Sequence, residues 1–160
     1  MAVGIGYDSH RLQSGRAMLL GGVEIAYDLG LAGHSDADVL THAIIDALLG
    51  AAALGDIGQH FPDNEQRYRG ISSLKLLEQV GRLLAGAGWR IVNVDATVII
   101  ERPKLAPHIP VMRQRLARSL GVASDQISVK AKTNEGMGFV GREEGVAAIA
   151  VAEVKRNART

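Results

Sequence analysis

Three residues of metal-ligand type, Asp8, His10 and His42, set the tightest limit on how this chain can fold. The first two follow an apolar, glycine-punctuated run, Val3-Gly4-Ile5-Gly6-Tyr7, that reads as a strand. Residues two apart on a strand point to the same face, so Asp8 and His10 can reach one point together. His42 lies in a strongly helical segment and can close the set, which ties that strand to that helix. One carboxylate and two imidazoles suit zinc, and three protein ligands leave one coordination position open. An open position is what a catalytic metal needs, so a metal-dependent enzyme is expected.

The rest of the chain alternates strand and helix patterns. Val3 to Arg11 reads as a first strand and Ala17 to Ile25 as a second, with Gly21-Gly22 marking a turn or bulge within it. Ser35-Asp36-Ala37-Asp38 matches the capping-box spacing, which puts Ser35 at an N-cap and predicts a helix from Asp36 to about Leu54. Val39, Leu40, Ala43, Ile44, Ala47 and Leu48 supply its apolar stripe. Asp56 to Gly70 reads as a loop. A helix capped by Ser72 or Ser73 ends at Gly86 or Gly88, and Trp89 to Glu101 is a strand dense in β-branched residues. Pro107 to Leu120 predicts a helix closed by Gly121, and Ile127 to Thr133 and Val146 to Val154 the last two strands. The expectation is one α/β domain over residues 1–160, with a mixed sheet covered by helices.

Composition narrows the function classes. Eighteen basic against seventeen acidic residues leave no global electrostatic case for nucleic acid. No apolar run is long enough to span a membrane. Without cysteine there is neither a disulfide framework nor a thiolate metal site. The first residues lack a signal-peptide pattern, so a cytoplasmic protein is expected.

Other segments add candidate chemistry. Asp38, His42 and Asp46 are spaced four apart on one helix face, and either aspartate is a candidate partner for the second ring nitrogen of His42. His34 precedes the predicted N-cap, where free N–H groups favour an anion; a phosphate there would have His34 and Ser35 as extra donors. His60 and His108 suggest only loop or helix-start structure. Gly55-Asp56-Ile57-Gly58, ahead of Phe61-Pro62-Asp63, lets the backbone approach a ligand closely. Lys132-Thr133-Asn134-Glu135 leaves a strand with a hydroxyl and a carboxylate that suits magnesium, and Gly141-Arg142 offers a guanidinium. The same stretch reads equally as a hairpin-like connection with charged tips.

Taken in order, these segments resemble one family. Gly-Tyr-Asp-Ser-His, then His-Ser-Asp-Ala-Asp-Val-Leu-Thr-His-Ala, Gly-Asp-Ile-Gly-Gln-His-Phe-Pro-Asp, Pro-Lys-Leu-Ala-Pro-His-Ile and Lys-Ala-Lys-Thr-Asn-Glu are similar to the 2-C-methyl-D-erythritol 2,4-cyclodiphosphate synthases. The resemblance runs from about residue 3 to about residue 152. It implies a ferredoxin-like sandwich assembled as a homotrimer with active sites at subunit interfaces. It also implies a reaction of the non-mevalonate isoprenoid route: the 2-phosphate of 4-diphosphocytidyl-2-C-methyl-D-erythritol 2-phosphate attacks its own β-phosphorus and CMP leaves in line. Such phosphoryl transfer asks mainly for positioning and charge neutralisation. Zinc would polarise the β-phosphate, and magnesium or manganese would bridge the α- and β-phosphates.

By the same resemblance, Asp8, His10 and His42 match the zinc ligands, and Glu135 the carboxylate on the second metal. His34 and Thr133 match residues that steady the transferring phosphoryl group. Asp8, His10, His34, Ser35, Asp56, Ile57, Gly58, Phe61, Pro62, Asp63, Asn64 and Glu65 would hold the methylerythritol phosphate end. Ile100, Glu101, Arg102, Pro103, Lys104, Leu105 and Ala106, with Lys132, Thr133, Asn134 and Glu135, match a cytidine diphosphate pocket supplied by the neighbouring subunit. Phe139 and Arg142 match positions lining a central channel that takes an isoprenoid diphosphate.

The chain departs from the family pattern at three places. Ser9 stands where valine is common, pointing away from the metal, and Lys132 stands where threonine is common. Glu143 replaces a usual glycine, adding backbone restriction and a carboxylate beside Arg142, which bears on the channel anion site. Two other readings are a metal-stabilised trimeric isoprenoid-diphosphate-binding protein without catalysis, and a zinc hydrolase. The first leaves Thr133 and Glu135 unused; the second lacks a clear general base for a metal-bound water.

Overall fold

Strand β1 (Ala2–Ser14) shows an alternation that decides the layering. Its even-numbered residues, Gly4, Gly6, Asp8 and His10, turn inward, while Val3, Ile5 and Tyr7 stand 67%, 70% and 54% exposed on the other side. The computed structural model describes residues 1–157; the last three residues of the expected 1–160 domain lie outside them. After β1 come β2 (Met18–Leu20) and β3 (Val23–Ile25), a hairpin in place of the single strand expected over 17–25. Gly21 and Gly22 both take positive φ, which reverses the chain between them. A further short strand, β4 (Leu29–Leu31), pairs with the end of β1 and has no periodic signature.

Helix α1 (Val39–Ala51) starts three residues later than its capping-box pattern predicted. The cap is Asp38, and the expectation for Ser35 is corrected. The fully buried Asp38 carboxylate accepts from the Thr41 N–H at 3.0 Å and the Thr41 hydroxyl at 2.8 Å. It also accepts from the backbone N–H groups of Gly21 and Gly22 at 2.9 and 2.7 Å. Four donors on one carboxylate cap the helix and pin the hairpin turn to it, which a lone serine hydroxyl cannot do. Nearly every α1 residue is buried, because the helix lies between the sheet and a second helix.

Helix α2 (Ile57–His60) and a short 3₁₀ turn (Gln66–Tyr68) fall in the segment expected to be loop. There follow α3 (Ser73–Gly86), β5 (Trp89–Ile99), α4 (Ile109–Leu120), β6 (Ile127–Lys132), α5 (Gly138–Gly141) and β7 (Gly145–Arg156). Gly121 closes α4 in the left-handed conformation expected of it. The single turn α5 lies in the stretch after β6 for which a hairpin-like connection is one of two readings.

The main sheet has five strands in the order β4-β1-β7-β5-β6. It is mixed, as expected: β5 and β6 run parallel and the other neighbours antiparallel. Helices α1, α3 and α4 pack on one face. The other carries the cross-strand pairs Ile5–Val151 and Tyr7–Ile149, all four exposed apolar side chains.

Close approach of α1 to β1 depends on two glycines. A Cβ at Gly4 would lie 2.2 Å from the Ala47 carbonyl oxygen, and one at Gly6 2.0 Å from that of Ala43. Only hydrogens at these positions let the two backbones meet.

Candidate metal centre and flanking clefts

The glycine contact delivers His42 from α1 onto the Asp8–His10 face of β1. Asp8 Oδ2 lies 2.9 Å from His10 Nε2 and 3.0 Å from His42 Nδ1, and the two ring nitrogens are 3.2 Å apart. The imidazoles meet edge to face at a 62° interplanar angle. His10 Nδ1 donates to the Ala32 carbonyl at 2.8 Å, which leaves Nε2 directed at the shared point. The second nitrogen of His42 meets neither Asp38 nor Asp46, the partners considered from the sequence. Its Nε2 lies 2.8 Å from Ser73 Oγ and 3.2 Å from Ser35 Oγ. Asp38 is occupied as the cap of α1, and Asp46 accepts the Ile57 N–H at 2.7 Å.

The electrostatics follow from this crowding. Burial alone would raise the Asp8 carboxyl, but hydrogen bonds and charge from His10 and His42 bring it down to about 2 from the usual 3.8. Burial works to lower His10, yet the hydrogen bond and charge of Asp8 outweigh it and its pKa is raised. Burial also raises Asp46, and the charges of Asp56 and Asp8 add to that despite the bond from Ile57.

These three residues are a group able to hold a metal ion, with donor atoms all within 4.8 Å of one another. The donor set fits zinc: a carboxylate and two imidazoles, each ring held from behind by a separate hydrogen bond.

A cleft of about 480 Å³ opens over the triad. His34, Ser35, Ile57, Gly58, Phe61, Pro62, Asp63 and Asn64 line it, as does Asp46, together with Tyr68, Ile71 and Leu76, which the sequence did not single out. Asp56 caps α2 through the Gln59 N–H, Glu65 pairs with Arg67, and neither lines the cleft. His34 is exposed at the rim, five residues before α1 begins; of the N-terminal N–H groups expected to draw a phosphate there, that of Thr41 is taken by the Asp38 cap. Ser35 accepts the Ala37 N–H at 3.3 Å. His60 Nε2 donates to the Leu54 carbonyl, and His108 stands at the N-cap of α4.

A second cleft, about 190 Å³, is lined by Ile100, Glu101, Pro103, Lys104, Leu105, Ala106, Ala131, Lys132 and Thr133. Thr133 donates its hydroxyl to Glu135 Oε1 at 2.7 Å, and Glu101 accepts the Asn134 N–H at 2.8 Å. Arg102 turns outward and bonds Glu143, which also accepts from the Tyr27 hydroxyl. Glu143 adopts a φ of 56°, a conformation natural to glycine. Its carboxylate does not engage Arg142; that guanidinium pairs with Glu144 at 2.8 Å, beside the exposed Phe139.

The two clefts share no residue. His10 pairs with Val146 and Ser9 with Ala147 on β7, which pairs with Ile99 on β5, itself beside Lys132 on β6. Thr133 is therefore three strand spacings, about 14 Å, from the triad within one chain.

The YgbB family model matches residues 1–155. The chain belongs to that family. A relative from Syntrophomonas wolfei named 2-C-methyl-D-erythritol 2,4-cyclodiphosphate synthase is 61% identical, over 98% of this chain and 99% of its own. One of the same name from Desulforamulus reducens is 59% identical over the same shares. Among solved structures, a 2C-methyl-D-erythritol-2,4-cyclodiphosphate synthase in a CDP-bound form is 38% identical, with a TM-score of 0.87 over 96% of this chain and 99% of that one. A Plasmodium falciparum IspF–CDP complex is 31% identical, with a TM-score of 0.85 over 98% and 96%. Family and fold thus agree with the resemblance of the sequence motifs. No helix among the described residues is long and apolar enough to cross a membrane.

Proposed function

We propose that this chain is a phosphorus–oxygen lyase that converts 4-diphosphocytidyl-2-C-methyl-D-erythritol 2-phosphate into 2-C-methyl-D-erythritol 2,4-cyclodiphosphate and CMP. The carrying observation is the convergence of Asp8, His10 and His42 beneath a cleft, in a chain about 60% identical along its length to proteins of that name. An oxygen of the 2-phosphate forms the new bond to the β-phosphorus, the bond from that phosphorus to the α–β bridging oxygen breaks, and CMP carries the bridging oxygen away. No atom is gained or lost beyond these two fragments.

Asp8, His10 and His42 would hold zinc, and Glu135 would hold magnesium or manganese. When bound, such ions supply charge neutralisation at the phosphate oxygens. The residues of the chain supply the rest. Ile57, Gly58 and Phe61 to Asn64 wall in the methylerythritol phosphate; Asp56 and Glu65 stand at the rim of that wall. His34 and Thr133 donate hydrogen bonds to the transferring phosphate, and Ser35 belongs to the wall around the methylerythritol phosphate. The smaller cleft takes the cytidine diphosphate, with Lys104 and Lys132 offering positive charge and Arg102, Asn134 and Glu135 at its border. Holding both phosphates in one frame makes ring closure an oriented intramolecular step, an advantage on the order of 10⁵ M in effective molarity.

Three strand spacings, about 14 Å, between Thr133 and the triad are too many for one phosphoryl group to touch both. We therefore assign the two clefts of each active site to neighbouring subunits of a homotrimer. The exposed apolar row Val3, Ile5, Tyr7, Ile149 and Val151 supports this, since such a sheet face is ordinarily covered by a partner. Phe139 and Arg142 would then face a central channel suited to an isoprenoid diphosphate. The chain acts as one domain, and a cytoplasmic setting goes with this reading.

The test is a phosphorus-31 NMR time course of purified protein with the substrate, zinc and magnesium. CMP together with the two coupled signals of a cyclic diphosphate is the expected result. An untouched substrate would overturn the catalytic assignment in favour of a binding protein, and a linear hydrolysed phosphate in favour of a zinc hydrolase. His42→Ala is expected to lose bound zinc and turnover while leaving a folded trimer; normal zinc content in it would remove His42 from the ligand set.

A further inference from the structure

Behind His42 stand two residues that none of the chemistry above uses. Ser73 is fully buried at the first turn of α3, with its hydroxyl oxygen 2.8 Å from His42 Nε2. The same hydroxyl bonds the Asp36 carboxylate, which also accepts the Ser73 backbone N–H at 2.9 Å. Asp36 is held in turn through its own N–H, which donates to the Ile71 carbonyl at 3.2 Å.

Proton inventory fixes the direction of this chain of bonds. A serine hydroxyl has one hydrogen and an ionised carboxylate has none, so the hydrogen of Ser73 goes to Asp36. The oxygen of Ser73 can then only accept, and the hydrogen it accepts is the one on His42 Nε2. With Nε2 carrying the hydrogen, Nδ1 of neutral His42 carries the lone pair; Asp8 Oδ2, 3.0 Å from Nδ1, draws the hydrogen the other way, so Ser73 and Asp8 compete for it. The opposite tautomer satisfies Asp8 but sets two lone pairs against each other at Ser73, 2.8 Å away, and turns an N–H toward the metal position; without the Ser73 hydroxyl, Asp8 would favour it.

We propose that Asp36 and Ser73 are positioning residues for metal capture: Asp36 orients the Ser73 hydroxyl, and Ser73 locks His42 in its Nε2–H tautomer with Nδ1 free to bind. The proposal rests on the metal reading above. It makes Ser73 part of the metal centre although it touches no substrate, and makes Asp36 act at one remove through Ser73.

The experiment has two readouts on the full-length protein. Long-range ¹H–¹⁵N correlation spectra of the metal-free protein report the His42 tautomer directly. Competition against a chromophoric chelator gives the affinity for zinc alone. The parent protein is expected to show Nε2–H at His42, and Ser73→Ala a mixture of tautomers with zinc affinity down by about 10–100-fold. Asp36→Asn is expected to show the same defect more weakly. The double variant is expected to be no worse than Ser73→Ala, because both act through one hydroxyl. Ser73→Thr restores the hydroxyl and is expected to recover tautomer and affinity.

A single Nε2–H tautomer and parental zinc affinity in Ser73→Ala would overturn the proposal while leaving the metal centre intact. A parent protein that binds no zinc, yet shows the tautomer change in Ser73→Ala, would overturn the metal reading and with it the role in capture. Should Ser73→Ala fail to fold, Asp36→Asn decides alone: its backbone stays intact, and an unaltered tautomer and affinity would sink the idea.

Discussion

Replacing Gly6 by alanine probes whether the glycines of β1 set the metal geometry. The new Cβ would lie 2.0 Å from the Ala43 carbonyl oxygen and 2.7 Å from the Ala47 nitrogen, backbone atoms of α1 that no rotamer change can clear. Relief to an ordinary contact near 3.4 Å requires α1 to withdraw by about 1.4 Å at that turn. His42 immediately precedes Ala43, so its Nδ1 travels with the helix while Asp8 and His10 stay on the strand. The 3.0 Å gap between His42 Nδ1 and Asp8 Oδ2 then opens toward about 4 Å, against a tolerance of roughly 0.2 Å in metal–ligand distance. Zinc affinity should fall about tenfold or more, and overpacking should cost about 1–3 kcal/mol of stability. Chelator competition measures the first and urea unfolding of the metal-free protein the second. A Gly6→Ala protein that is as stable as its parent and binds zinc within about twofold would refute the argument that the glycine contact fixes the ligand distances.

Three further outcomes are expected. Asp38→Ala strips the carboxylate from the N–H groups of Gly21, Gly22 and Thr41 and should cost about 3 kcal/mol or more in urea unfolding; a loss under about 1 kcal/mol would show that this clamp contributes little. In the metal-free protein, the low pKa of Asp8 gives stability present above its ordinary 3.8 and lost as pH falls toward about 2. The raised pKa of His10 gives stability present below 6.5 and lost as pH rises through its folded value, so the pair helps most between these limits. Zinc must displace that His10 proton, so its affinity should rise with pH through the same range; a flat titration profile would count against the assignment. Glu143→Gly removes both an exposed ion pair with Arg102 and a left-handed non-glycine residue, so stability should change by less than about 1 kcal/mol. With one carboxylate gone from beside the proposed channel, the variant should bind an isoprenoid diphosphate more tightly by calorimetry; equal or weaker binding would show that Glu143 does not guard that site.

Much of this was legible in the sequence where a single period carried the information. The twofold period of β1 placed Asp8 and His10 together, and the helical period of Val39 to Leu48 placed His42 on a packed element. What escaped was decided by partners distant in the chain. Ser35 and Asp38 are both favoured N-cap residue types and only Ser35 has an acid three residues on, yet the arrival of the Gly21-Gly22 turn makes Asp38 the cap. Ser73 looks like an ordinary helix-start serine until His42 meets it 31 positions away. Strand β4 and helices α2 and α5, of three and four residues, are too short to show any period at all. Thr133 and Glu135 stood out as a hydroxyl and a carboxylate leaving a strand and took roles by resemblance; that Thr133 lies three strand spacings, about 14 Å, from the triad became visible only with the strand order in hand.

The alternation of β1 has a consequence for how such a chain can change over time. Odd positions carry Val3, Ile5 and Tyr7 to the open face, and even positions carry Gly4, Gly6, Asp8 and His10 to the helix. Substitutions at odd positions can reshape the proposed assembly face while sparing the chemistry, and those at even positions do the reverse. A single inserted or deleted residue inside the strand exchanges the two sets at once, burying side chains where only hydrogens fit and turning ligands to solvent. One strand thus answers to two independent selections by parity, and is open to change one letter at a time but closed to any change in its length.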